Sequence, residues 1–173
     1  TIASIAGCLT EGELSDTRPY RDPHHTSSMP AMVGGGKRAK PGEISLAHRG
    51  VLFMDELPEY PRGVLESLRQ PLEEGEVTIA RARATVRYPA RFMLMASMNP
   101  CPCGHNGDPS RACVCAPGAA QRYLAKVSGP LLDRIDLQVE VPPISILELQ
   151  KTHANSQENS AAVQERVFKA WEK

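Results

Sequence analysis

The stretch Gly50-Val51-Leu52-Phe53-Met54-Asp55-Glu56 constrains this chain more than any other. Four consecutive apolar residues end abruptly in two carboxylates. A run this short and this apolar suits a strand buried on both faces of a parallel sheet. Ligand sites in such sheets lie beyond the carboxyl ends of the strands. Asp55 and Glu56 therefore stand where the metal and the water of a bound nucleotide would be. This is the Walker B pattern. Mg²⁺ keeps several waters and takes one or two carboxylates plus phosphate oxygens, so Asp55 alone suffices as its anchor. Glu56 is then free to orient and polarise the attacking water. The competing reading is a core strand followed by an acidic turn. On the apolar run alone the two weigh about equally.

Other segments shift that balance. Phe92-Met93-Leu94-Met95-Ala96-Ser97-Met98 reads as a second apolar strand that ends at Asn99-Pro100. An amide at a strand end beside the carboxylates is placed to hold the attacking water, so Asn99 is a candidate site residue. Between the two strands, Val64, Leu65, Leu68 and Leu72 share one helical face. Pro61 suits the first turn of that helix, and Pro71 should end or kink it. Residues 76–81 and 84–88 alternate as a β-hairpin, with Arg81, Arg83, Arg87 and Arg91 on its tip and edges. Of these, Arg81, Arg83 and Arg87, on a weakly amphipathic and projecting ribbon, are candidates for phosphate-backbone contact, which is electrostatic and independent of sequence. The plainer reading is that they solvate an exposed hairpin or pair with acids.

Cysteine placement narrows the chemistry further. Of five cysteines, four fall between Cys101 and Cys115 as two Cys-x-Cys pairs across a Gly/Asp/Pro-containing loop. Without a secretory signal, that clustering favours a metal over disulfides. Cys101, Cys103, Cys113 and Cys115 can bring four thiolates to one tetrahedral Zn²⁺. Such a site is closed, hence structural, with His105 as the substitute ligand. Free or redox-active thiols are the alternative.

Two tempting motifs fail. Gly34-Gly35-Gly36-Lys37 has neither the spacing of a P-loop, nor a Ser or Thr after the lysine, nor an apolar strand before it. A flexible basic loop is the better reading. His24-His25 lies in a turn-rich stretch and reads as polar surface rather than as a metal pair.

Lys+Arg and Asp+Glu number 20 each, so net charge does not decide for or against nucleic acid; a local basic patch would. No 18-residue apolar run and no signal peptide are present, so the chain reads as soluble and cytoplasmic, with no membrane partner. Residues 1–7 read as the end of a helix capped by Gly7, so the chain is expected to begin in mid-domain. Helices are expected at 119–124, 145–151 and 160–173, the last amphipathic through Val163, Val167 and Trp171. A strand is expected at 137–141, closed by Pro142-Pro143.

These motifs together resemble the AAA+ ATPases of the magnesium-chelatase-like branch, and within it the ComM/YifB family. The resemblance runs from about Ile5 to Val141. It is most specific at Arg18–His25, Pro41–His48, Gly50–Glu56, Leu68–Glu73, Asn99–Gly104 and Ser128–Asp136. It implies an α/β fold: a partial AAA+ P-loop NTPase core, a parallel sheet with flanking helices, carrying a β-hairpin insert and a small zinc-type Cys loop. By position, residues 1–142 would be the core and residues 143–173 the start of a helical lid. About 14–45 resembles the helix-2 insert, 50–56 Walker B, 75–91 the pre-sensor-1 hairpin, and 101–115 the Cys loop. Asp55 and Glu56 resemble Walker B, Asn99 sensor 1, and Arg134 the arginine finger that reaches a neighbouring subunit's γ-phosphate. The implied activity is ATP- and Mg²⁺-dependent branch-migration helicase action on DNA by a homo-hexamer, in natural transformation and recombination. A Walker A motif and a sensor-2 arginine are absent from these 173 residues, so alone they are expected to be inactive. The alternatives are a magnesium-chelatase motor subunit and a non-enzymatic, zinc-stabilised nucleic-acid-binding module.

Overall fold

The computed structural model describes residues 2–7, 17–36, 39–81, 84–142 and 158–172, with Arg81 described in its backbone only. Arg83 and the helix expected at 145–151 lie outside the described residues. By their contacts the residues form two units, Thr1–Gln138 and Val139–Lys173.

The first unit opens with a short helix α1 (Ile2–Ala6), whose following Gly7 takes the left-handed conformation expected of a C-terminal cap. Its organising element is a three-stranded parallel sheet in the order β1 (Tyr20–Arg21), β4 (Val51–Met54), β7 (Met93–Ala96). β4 is central, pairing Val51 with Tyr20 on one side and with Met93 on the other. The ladder extends past the strands. Val51 N–H donates to Pro19 O at 2.8 Å, and Met93 N–H to Gly50 O at 3.0 Å. The strand that runs into Asp55 and Glu56 is therefore where the sequence puts it.

Its burial differs from expectation. Leu52 and Met54 are fully buried, whereas Val51 and Phe53 are only half-buried. On β7, Met93 is 65% and Met95 55% exposed. Among the described residues, elements cover one face of the sheet. The continuous apolar run that suggested burial on both faces thus supplies a core face and an open face that presents Tyr20, Phe53, Met93 and Met95.

The covered face is packed by a cluster that includes Met32 of α2 (Met29–Val33), Ile44 of α3 (Glu43–Leu46), and Val64 and Leu65 of α4 (Arg62–Ser67). Leu57, Leu68 and Leu131 complete its centre, each almost or wholly inaccessible. Burying a side chain of this size contributes about 1.5–3 kcal/mol. Between α2 and α3 the two-residue strands β2 (Gly34–Gly35) and β3 (Lys40–Pro41) pair antiparallel. Pro71 does interrupt the helix that follows the acidic pair. A proline there cannot donate to the carbonyl of residue 67, and its ring crowds that carbonyl. The helix breaks at Leu68 and resumes as α5 (Arg69–Glu74), which Gly75 ends in the left-handed region.

The hairpin is β5 (Glu76–Arg81) and β6 (Ala84–Pro89), in register from Glu76–Pro89 to Arg81–Ala84. Its root does not project. Val77, Ile79 and Tyr88 are buried in the core, and Tyr88 donates its hydroxyl to Ala39 O at 2.8 Å. Helices α6 (Ala119–Leu124) and α7 (Gly129–Leu132) follow, the first at the predicted bounds. Residues 137–141 do not form the predicted strand: Leu137 and Val141 are 84% and 80% exposed and pair with nothing described. An alternating segment becomes a strand only when a partner takes its backbone groups.

In the second unit, α8 (Ser160–Trp171) is capped by Asn159, whose side chain accepts from Ala162 N–H at 2.8 Å. Lys169 and Glu165 pair one turn apart at 2.7 Å.

Candidate active site

The carboxyl end of β4 carries the acidic pair, as a parallel sheet requires of a ligand site. Asp55 Oδ1 accepts from Glu56 N–H at 3.0 Å and from the Ser97 hydroxyl, leaving Oδ2 with no protein donor among the described residues. Ser97 sits just past β7, and its backbone carbonyl accepts from Leu57 N–H at 2.9 Å. The neighbouring strand thus fixes the acidic turn from both sides. Glu56 has φ 53° and ψ 49°, left-handed backbone that costs a non-glycine residue about 1–2 kcal/mol. Strain of this kind persists where the surroundings enforce it, and such places cluster at functional sites.

Glu56 also has a partner from the other edge of the sheet. His25 Nδ1 lies 3.2 Å from Glu56 Oε2. The His25 ring stands edge-on to Tyr60 at 6.4 Å between centroids and lies 4.1 Å from the ring of His24. Tyr60 donates its hydroxyl to Pro23 O and so ties the histidine turn to the segment after Walker B. Burial, then the nearby charges of Asp55 and Asp22, pushes the Tyr60 phenol up to about 12. A cleft of about 310 Å³ opens here between Tyr20, Asp22, His24, His25, Phe53, Asp55 and Glu56. Its free carboxylate oxygens suit a hard cation such as Mg²⁺. Sequence reasoning missed His25 and Ser97. The first reads as polar surface and the second as strand; only the sheet order brings both to the acidic pair.

The other predicted residues fall into place unevenly. Asn99 is exposed, three residues beyond β7, and Ser97 rather than Asn99 is the side chain that touches Asp55. Arg134 follows α7 and donates through Nη2 to Glu73 Oε2 at 2.7 Å and through Nη1 to Pro130 O. Its described contacts are with its own chain at α5 and α7, not with Asp55 or Glu56. Arg87 pairs with Glu76 at 3.2 Å across the hairpin, so its charge is partly compensated.

The four loop cysteines converge. Their Sγ atoms all lie within 4.8 Å of one another. Cys101 and Cys103 are 3.4 Å apart, Cys101 and Cys113 3.8 Å, and Cys103 and Cys113 3.6 Å. A tetrahedron with Zn–S bonds of about 2.3 Å has S···S edges of about 3.8 Å, so the donor set fits a single zinc ion. Backbone N–H groups of His105 and then Val114 point at Cys103 and hold its thiol down to about 6. Hydrogen bonding to Cys103 first of all pushes the Cys115 thiol up to about 12. His105 does not join the cluster; it lies 3.5 Å from Asp108, which in turn accepts from Ser110 N–H at 2.7 Å.

Comparison with known proteins agrees with this architecture. The family described as "Magnesium chelatase, subunit ChlI" matches residues 1–149. Competence protein ComM of Haemophilus influenzae is 55% identical over 169 residues, covering 95% of this chain and 32% of the relative. YifB of Salmonella typhimurium is 49% identical over 175 residues, covering 99% and 33%. The magnesium-chelatase 38 kDa subunit of Acidiphilium rubrum is 36% identical over 70 residues, covering 40% and 20%. The chain thus spans about a third of the length of the curated relatives it matches over most of its own. With a strand-end carboxylate pair in a parallel sheet and a family match over most of its residues, this chain belongs to the magnesium chelatase ChlI family, the magnesium-chelatase-like branch of the AAA+ ATPases.

Proposed function

We propose that the chain is the Walker B and sensor portion of an ATP-driven motor that acts on DNA as a branch-migration helicase. The observation that carries the hydrolytic reading is the joint fixing of Asp55 and Glu56 by Ser97 and His25 at the strand ends. Asp55 Oδ2 would hold Mg²⁺, which neutralises developing phosphate charge when bound. Glu56 takes the proton-accepting role towards the attacking water, with His25 fixing its carboxylate. Asn99 completes the water's surroundings, and Arg134 supplies positive charge to the site of a neighbouring subunit in a homo-hexamer. Cys101, Cys103, Cys113 and Cys115 would hold Zn²⁺, which would brace the segment that follows Asn99.

DNA is favoured over a porphyrin by the balance of relatives. The match to a competence protein covers nearly the whole chain, and the match to a chelatase subunit covers 40%. The basic hairpin and the cysteine loop supply a reason: neither is needed to drive metal insertion, and both suit a nucleic-acid motor. A non-enzymatic zinc-braced DNA module is the remaining reading, and the fixed acidic pair argues against it. The test is the full-length protein, assayed for ATP hydrolysis with and without DNA and for migration of a synthetic four-way junction. DNA-stimulated hydrolysis with junction movement is the expected result. ATP-dependent magnesium insertion into a porphyrin without any DNA effect would instead select the chelatase reading.

A further inference from the structure

The hairpin root carries a second basic feature that the motif-based reading does not use. His48-Arg49 lies just before β4, and Arg91 just before β7, so both arginines stand at the end of the sheet opposite Asp55 and Glu56. Arg49 N–H donates to Arg91 O at 2.6 Å, and Arg91 N–H to His48 Nδ1 at 3.1 Å. The two backbones are thereby clamped together. The Arg91 side chain lies across Gly75, where an added Cβ would fall 2.7 Å from Arg91 Cγ and 2.9 Å from Nε. Gly75 and Ala90 flank the hairpin and are joined by Ala90 N–H to Gly75 O at 2.7 Å, and Arg91 follows directly, so the direction of Arg91 is fixed by the hairpin's own exit.

Arg49 has φ 65°. Glycine adopts that backbone freely and an arginine does not, yet arginine is what stands there. Both residues are exposed, and among the described residues neither guanidinium has an ion pair or side-chain hydrogen bond. By contrast, Arg87 higher on the hairpin is paired with Glu76. His48 accepts at Nδ1, so its neutral ring turns Nε2–H into a further donor. Burial and the charges of Arg49 and Arg91 keep its pKa below the ordinary value, consistent with that form.

We propose that Arg49 and Arg91, with His48 between them, form a contact surface for the phosphate backbone of nucleic acid at the hairpin root. The proposal rests on the DNA reading above and names where that contact is made. Two exposed guanidinium groups with no ion pair among the described residues, that of Arg91 directed by its contact with Gly75, match phosphate oxygens, and such contact is independent of base sequence. Arg49 is useful for the test, because glycine there removes the charge and suits the backbone.

The experiment uses the full-length protein with labelled single- and double-stranded oligonucleotides of unrelated sequence, titrated across salt. Arg49→Gly should keep or raise the melting temperature while weakening binding to every sequence. The pair Arg49→Gly with Arg91→Gln should reduce the slope of log K against log salt by about 1.4–1.8, two contacts at roughly 0.7–0.9 each. Arg91→Lys, combined with native Arg49, should retain most of the slope. DNA-independent ATP hydrolysis should be unchanged, since neither residue belongs to the hydrolytic site. Wild-type binding with an unaltered slope in the double variant overturns this surface alone. Loss of assembly with undiminished DNA affinity overturns it too, by assigning the arginines to a contact between subunits. Failure of the wild-type protein to bind DNA at all would overturn the DNA reading itself.

Discussion

His25 Nδ1 stands 3.2 Å from Glu56 Oε2, joining a turn within the 14–45 region to the second carboxylate after β4. The ring can donate to Glu56 and so fix that oxygen at the edge of the cleft. In the full-length ATPase, Glu56→Gln should bind nucleotide and lose turnover by about 10²–10⁴-fold, the usual contribution of a positioned base. His25→Ala should lower kcat less than that, with KM for ATP little changed. His25→Asn, which keeps a donor near Nδ1, should recover part of the loss. Wild-type turnover in Glu56→Gln would show that the base lies elsewhere; it is read by steady-state kinetics beside an equilibrium nucleotide-binding assay.

Arg134 is held by Glu73 and by the carbonyl of Pro130. If it serves a neighbouring subunit, its loss must be felt across an interface rather than within the chain. Arg134→Ala should abolish hydrolysis in a uniform assembly. Mixed with subunits that carry Glu56→Gln but retain Arg134, it should recover activity in proportion to the junctions where an intact arginine meets an intact Glu56. Absence of any recovery, with mixed assembly verified by native mass spectrometry, would place the role of Arg134 inside its own subunit.

Gly50 sits where β4 meets β1, and a Cβ there would come 1.9 Å from the carbonyl oxygen of Pro19. That neighbour is backbone, which cannot swing away. Gly50→Ala should therefore part the Val51–Pro19 hydrogen bond and destabilise the protein by about 1–3 kcal/mol, the range for forced overpacking. Denaturant unfolding of the variant against the wild type measures this. A Gly63→Ala control, whose Cβ would meet only the flexible end of Met29 at 3.1 Å, should change little.

Legibility in the sequence followed the range of the interactions. Val51–Met54 with Asp55-Glu56 was readable because a strand and its exit lie within seven residues. The hairpin at 76–89 was readable because its alternation and its turn are local, and the Pro71 break because proline acts on its own helix. β1, only Tyr20–Arg21, was hidden: two residues become a strand by pairing with Val51–Leu52, and nothing local marks them. The same holds for His25, whose contact is with Glu56, just past β4 and far away in the chain. Residues 137–141 show the converse: the alternation is present and the strand is not, since no described partner takes their backbone. The buried root of the hairpin was also illegible, because Tyr88 is anchored by Ala39, far away in the chain.

Purified without chelator, the chain should carry about one Zn per molecule, ligated through four sulfurs. Protons compete with metal for thiolates, so zinc should be lost as pH falls. In metal-free protein the thiols should part company. Cys103, held near 6 by the N–H groups of His105 and Val114, is a thiolate at neutral pH, whereas Cys115, raised to about 12, is a thiol. The sign follows from the lowered value. The stabilisation contributed by Cys103 is complete above its ordinary value of 9.0 and is lost as pH falls through about 6. Iodoacetamide followed by mass spectrometry should therefore label Cys103 with a pH midpoint near 6, well before Cys115. Zinc should protect both. Four thiols reacting alike with midpoints near 9.0, and no protection by metal, would mean that the backbone donors do not hold Cys103 and that the cluster is not a zinc site.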